Sequence, residues 1–67
     1  MQDNLHSLSR LLIELRIEHA DLDSLIDGAS VSPERDDLAL RRLKKRRLSL
    51  RDRMLRIEAE LDPPQPA

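Results

Sequence analysis

The sequence predicts an all-α protein: an antiparallel two-helix hairpin of the coiled-coil type, expected to associate into a larger helical bundle. Three observations favour this fold class. Apolar residues recur at alternating steps of three and four in two segments. Turn-forming residues separate those segments near residue 30. Charged residues make up 37% of the chain while glycine occurs once, which is typical of solvated helices and not of strands.

The first helix is expected over about residues 4–27. Its apolar residues follow the spacing of a coiled-coil seam, with His19 as the one polar residue at a seam position. Leu11 and Leu25 are expected to widen the seam on one side. The remaining seam positions are apolar: Leu5, Leu8, Leu12, Leu15, Leu22 and Ile26.

A loop is expected over residues 28–32. Gly28 tolerates the left-handed backbone that often follows a helix end, so we expect the first helix to stop there. Ser32 can cap the next helix, and Pro33 suits the first helical position because its missing N–H would have no partner there. The second helix is therefore expected over about residues 33–61.

The second helix repeats the same spacing, with Arg47 as its polar seam residue. We expect Arg47 to reach Glu14 or Glu18, and His19 to pair with Asp23 one turn on. Together His19 and Arg47 are predicted to set the register of the two helices. The apolar seam positions are Leu40, Leu43, Leu50, Met54, Ile57 and Leu61. An extended proline-rich tail, residues 62–67, follows.

The charge distribution supports an antiparallel arrangement. Residues 1–30 carry six acidic and two basic side chains, whereas residues 41–56 carry nine bases and one acid. Folding the chain about residues 30–31 places Leu22 near Leu40 and Leu12 near Leu50. These charges set orientation more than stability. The acids of the first helix are expected beside bases of the second, that is, Glu14, Glu18 and Asp21 beside Lys44, Arg47, Arg51 and their neighbours.

Several apolar side chains fall outside this seam. Ile13 and Ile17 on the first helix, with Leu38, Leu48 and Leu55 on the second, point where a simple hairpin would place polar groups. We expect Ile13, Ile17, Leu48 and Leu55 to form an interface with another copy or with a larger protein. The alternative is a seam that rotates to include some of these residues. A basic face of Lys44, Lys45 and Arg51 is expected to orient the partner.

Composition bears on the class of function. The chain has no cysteine and no aromatic residue, so it has no thiol nucleophile and no stacking platform for bases. We expect no catalytic, cofactor or metal site, no small-molecule substrate and no membrane span, and we expect a cytoplasmic location. The predicted function is a small non-enzymatic protein–protein interaction module. The alternative is a nucleic-acid-associated helical protein that uses the basic run 41–56.

Two stretches carry a family resemblance. Residues 19–26, His-Ala-Asp-Leu-Asp-Ser-Leu-Ile, resemble the H-x-x-L-D-x-x-I signature of the short YdcH-like bacterial proteins, and residues 43–54 resemble their L-K-K-x-K-L-x-L-K-D-x-I signature. Arg47 and Arg51 stand where lysine is usual, and Met54 stands where isoleucine is. The resemblance implies a cytoplasmic helical hairpin of unknown function, with no catalytic residue or cofactor. Its second signature includes Leu48, one of the residues outside the seam.

Overall fold

A computed structural model describes residues 4–62 and contains two α-helices, α1 (Asn4–Ser30) and α2 (Asp37–Leu61), joined by residues 31–36. Ion pairs join Arg16 to Glu58 and Asp23 to Arg47, so the helices run antiparallel. The predicted all-α hairpin is confirmed. Residues 1–3 and 63–67 lie outside the described residues, and with them most of the predicted tail.

The core is a single aliphatic seam between the helices. Its buried residues all come from the predicted seam positions: Leu12, Leu15, Leu22, Ile26, Leu40, Leu50 and Ile57. Five more apolar seam residues and Ala29 pack against them, partly buried: Leu8, Leu11, Leu43, Met54 and Leu61. The side chain of Leu5 lies outside the described part of the chain.

Leu25 departs from the predicted seam, because its side chain is 55% exposed whereas Leu11 packs against the core. The two residues are two heptads apart. An α-helix drifts by about 20° per heptad relative to a 3.5-residue repeat, so Leu25 is turned roughly 40° further from the seam than Leu11. The prediction that Leu25 widens the seam is therefore wrong.

Helix α1 ends three residues later than expected. Gly28 has no positive φ and lies inside the helix, so it does not act as a cap. Ile26 and Ala29, on either side of Gly28, pack in or against the core, and this packing stabilises the helical conformation through residue 28. The hydroxyl of Ser30 donates a 2.7 Å hydrogen bond to the carbonyl oxygen of Ile26, and Arg35 donates to the carbonyl of Ser30, so the last turn has partners.

Helix α2 begins four residues later than expected. The carboxylate of Asp36 accepts hydrogen bonds from the amides of Leu38 and Ala39, at 3.1 and 3.2 Å, and is the N-cap. Ser32 instead accepts one bond from the Glu34 amide, within a turn. Asp36 caps α2 in preference to Ser32, because its carboxylate accepts hydrogen bonds from two free amides whereas the Ser32 hydroxyl accepts one. The end of α2 agrees with the sequence-based expectation.

Replacing Gly28 by Ala should stabilise the hairpin. The backbone at Gly28 is helical, and no atom lies within 4 Å of an added Cβ, so alanine fits without strain. We expect the free energy of unfolding to rise by about 0.5 to 1 kcal/mol, because alanine loses less backbone entropy in a helix. Thermal unfolding followed by circular dichroism measures the change. A fall in stability would mean that the backbone at residue 28 is not helical.

The register of the two helices also differs from the expected one. The ion pairs between α1 and α2 join Arg16 to Glu58, Glu18 to Arg46 and Asp23 to Arg47, which centres the fold at about residue 35 and not at residues 30–31. Moving the centre by about four residues moves the pairing by roughly one heptad. A shift of one heptad keeps the same residues in the seam, which is why the core was predicted correctly and the pairing was not.

The hairpin forms a single layer. Its Cα atoms span 49 × 29 × 14 Å, and the smallest extent is close to the diameter of one helix. Both broad sides of the layer are therefore open to solvent. Among residues 4–62, the two helices supply the residues that form and cover the core.

Candidate interaction surfaces

Two pairs of large aliphatic side chains lie outside the core. Ile13 and Ile17 are 57% and 58% exposed, and Leu48 and Leu55 are 55% and 51% exposed. We call the first pair the α1 ridge and the second pair the α2 ridge. Their position outside the seam is as the sequence indicated, and their role in association stays a prediction.

The two ridges differ in spacing. At a rise of about 1.5 Å per residue, Ile13 and Ile17 are about 6 Å apart along α1, and Leu48 and Leu55 are about 10.5 Å apart along α2. The two ridges lie on different helices.

The residues around each ridge include both acidic and basic side chains. On a helix surface, the neighbours of a residue lie three and four positions away. Around Ile17 those neighbours include Glu14 and Asp21, both exposed and both acidic. Three of the four around Leu48 are the predicted basic face, Lys44, Lys45 and Arg51, and the fourth is Asp52. Ile13, in contrast, lies between Arg10 and Arg16, and Leu55 lies between Asp52 and Glu58, so both ridges have borders of mixed charge.

A shallow groove of about 450 Å³ lies beside the α2 ridge and brings Leu48 together with both polar seam residues. Its walls also include part of the basic face, whereas Lys45 does not line it. The lining residues are His19, Asp23, Lys44, Arg47, Leu48 and Arg51. The structure thus places five of the predicted site residues in one groove, and the α1 ridge elsewhere.

Asp23 is the acceptor at the centre of this groove. Its carboxylate accepts a 2.7 Å hydrogen bond from the guanidinium of Arg47 and lies 3.5 Å from Nδ1 of His19. The predicted contact between His19 and Asp23 is confirmed. The expectation that Arg47 reaches Glu14 or Glu18 is wrong, because the heptad shift brings Arg46 to Glu18 at 3.0 Å and Arg47 to Asp23.

Asp23 was recognised from the sequence only as a neighbour of His19. Its contact with Arg47 was missed, since the heptad pattern alone allows several alignments of the helices. Arg47 and Asp23 are both partly exposed, so their contact is a hydrogen-bonded pair at the edge of the core and not a buried charge. That His19 and Arg47 set the register of the two helices stays a prediction.

The rest of the basic run faces solvent. Of the nine bases in residues 41–56, Arg46 and Arg47 pair with acids of α1. The other seven make no ion pair with residues 7–62: Arg41, Arg42, Lys44, Lys45, Arg51, Arg53 and Arg56. The sequence led us to expect Glu14 and Asp21 beside Lys44 and Arg51, but within residues 7–62 none of these four forms an ion pair.

Among the described residues, no group of three or more His, Asp or Glu side chains is arranged to hold a metal ion. Within the same residues, neither helix has a stretch that is long and apolar enough to cross a bilayer.

Comparison with known proteins gives one match. The model of a family described as "Protein of unknown function (DUF465)" matches residues 12–58, and this is the YdcH-like family of small helical proteins that the two signatures suggested. The resemblance is thereby confirmed. No curated protein and no solved structure matches the chain.

Proposed function

This chain belongs to the DUF465 family of proteins of unknown function, and from its surface we propose that it acts as a small non-enzymatic protein–protein interaction module. The module self-associates or docks as an accessory subunit on a larger assembly. In keeping with the bacterial proteins it resembles and with its lack of cysteine, the proposed location is the bacterial cytoplasm.

One observation carries this proposal. Seven large aliphatic side chains of residues 7–62 stay more than half exposed although the seam already forms the core, and four of them make up the two ridges. Single exposed leucines are normal on protein surfaces, but here they come in pairs on ridges, each with charged residues around it. An aliphatic centre with a charged border is the usual anatomy of a protein interface.

The proposal predicts that Leu48→Glu combined with Leu55→Glu abolishes partner capture. We expect at least about a tenfold loss of cross-linked product, because two charges replace the apolar centre of the contact. The measurement is chemical cross-linking of the tagged protein in cells, followed by identification of the products. Products that include a second copy and products that include another protein both count as capture.

The matched control is Leu25→Glu combined with Leu38→Glu. Both leucines are exposed to the same degree, at 55% and 56%, and neither belongs to a ridge. Capture should persist in the control, and helicity should persist in both variants because every changed side chain already faces solvent. Equal capture by wild type and by the ridge variant, or no specific product from either, would contradict the proposal.

A second candidate function is association with nucleic acid. The seven bases of α2 that form no ion pair with residues 7–62 favour it, since clustered Lys and Arg neutralise phosphates. Against it, the bases point to several sides of α2, and exposed Glu14 and Asp21 lie on the same molecule. Binding of duplex DNA or RNA that falls steeply with salt would favour this candidate over the interaction module.

A further inference from the structure

We infer that the groove beside the α2 ridge is a binding site for a compact anion that carries two linked phosphoryl groups. The groove has a volume of about 450 Å³, and three of its lining side chains carry a fixed positive charge: Lys44, Arg47 and Arg51. The inference goes beyond the proposed function and does not depend on what covers either ridge.

The three positive charges share one face of α2. Residues spaced by three, four and seven positions lie on the same face of a helix, and Lys44, Arg47 and Arg51 have this spacing. Asp52 follows Arg51 in the sequence but points about 100° away around the helix and does not line the groove. The residues three and four positions from Lys44 and from Arg51 include no acid: Leu40, Arg41, Arg47, Leu48, Met54 and Leu55.

This arrangement leaves repulsion between like charges that a bound anion would offset. Arg47 is three residues from Lys44 and four residues from Arg51, and like charges at these spacings destabilise a helix. No ion pair within residues 7–62 neutralises Lys44 or Arg51. An anion between these two side chains replaces the repulsion by two attractive contacts.

Asp23 is the carboxylate among the lining residues, and it is already engaged. It accepts a 2.7 Å hydrogen bond from Arg47 and lies 3.5 Å from Nδ1 of His19. Asp27, one turn further along α1, does not line the groove. With three cations and one carboxylate, the groove keeps a net charge of +2 while His19 is neutral. A guanidinium has five N–H donors, so the contact with Asp23 orients Arg47 and leaves donors for a ligand.

The spacing and chemistry of the cations indicate the class of ligand. Lys44 and Arg51 are seven residues apart, about 10.5 Å along α2, so they can reach a ligand from its two ends. A guanidinium binds a phosphoryl group through parallel N–H donors, and an ammonium group binds one as a point charge. The chain has no aromatic residue on which a nucleobase could stack, so the phosphoryl groups provide the contacts.

The test is a titration of the isotope-labelled full chain with inorganic diphosphate, followed by NMR at constant pH and at a constant ionic strength of about 0.1 M. Amide signals of the groove residues should shift and saturate. Lys44→Gln combined with Arg51→Gln should weaken binding at least about tenfold, because two of the three cations are lost. Both side chains are exposed and glutamine is a good helix former, so the hairpin should stay folded.

Arg42→Gln combined with Arg53→Gln is the matched control, since it removes the same charge from the same helix. Both arginines are exposed, form no ion pair within residues 7–62 and do not line the groove. The control should bind diphosphate within about twofold of wild type. Equal weakening by the two double variants would overturn the inference, because it would mean diffuse attraction to the whole basic helix. Wild-type signals that do not shift and saturate up to about 10 mM diphosphate would also overturn it.

Two further probes distinguish the sources of the phosphoryl groups. A nucleoside diphosphate should bind about as tightly as inorganic diphosphate and shift the same groove signals, because the base has nothing to stack on. A short single-stranded oligonucleotide that binds more tightly than either, and that both double variants weaken equally, would overturn the groove and favour the nucleic-acid candidate. Capture of a protein through the α2 ridge is measured separately, so either result leaves the proposed function to its own test.

Discussion

Replacing Ile26 by Ala should destabilise the hairpin by about 2 to 4 kcal/mol, most of the folding free energy expected for a domain of this size. Ile26 is the most buried side chain of the core, at 2% exposure. Its loss leaves a cavity in a seam only two helices wide, where few neighbours can move to fill it. We therefore expect a substantially unfolded population at 25 °C.

Ile17→Ala is the matched control, since it makes the same change in the same helix at a side chain that is 58% exposed. Its effect should stay within about 0.5 kcal/mol. The chain has no tryptophan or tyrosine, so urea unfolding is followed by far-ultraviolet circular dichroism. Similar losses for Ile26→Ala and Ile17→Ala would show that the seam between α1 and α2 is not the core.

Arg47→Glu should cost about 2 kcal/mol, because it replaces a charge-assisted hydrogen bond to Asp23 by two carboxylates facing each other at the edge of the core. Adding Asp23→Arg to that variant reverses the pair and should restore most of the loss. Urea unfolding of wild type, both single variants and the double variant gives the coupling energy. We expect a coupling of at least about 1 kcal/mol.

The same cycle discriminates between the two registers. If Arg47 faced Glu18, as the sequence suggested, Glu18→Arg and not Asp23→Arg would rescue Arg47→Glu. Lys45→Glu serves as the charge control, since this exposed lysine has no ion pair within residues 7–62 and its reversal should cost little. A coupling energy near zero for the Asp23 and Arg47 pair would contradict the observed alignment.

The faces of the helices were predictable from the sequence because they depend only on the helical period. Apart from Leu25, every described apolar residue predicted for the seam lies in or against the core, and Ile13, Ile17, Leu48 and Leu55 lie outside it. Periodicity fixes the direction of a side chain around its helix, whatever the partner helix does.

Boundaries and pairing were less predictable, for separate physical reasons. Gly28 is a local signal for a helix end, but the packing of Ile26 and Ala29 in the core keeps the helix going past it. Ser32 is a local signal for a helix start, but Asp36 provides the stronger cap. Pairing failed because a heptad pattern is unchanged by a shift of one heptad. The contact between Arg47 and Asp23 follows from the alignment of the two helices, so it could not be predicted before that alignment was known.

The Cα atoms span only 14 Å along the shortest axis, so few atoms separate the core from water on either side of the hairpin. Brief local openings of α1 or α2 expose the seam directly, and proteases act on such open forms. Anything that binds only the folded form reduces the open population by mass action. If the protein binds a partner as proposed, its cellular lifetime is therefore expected to depend on the fraction of it that is bound.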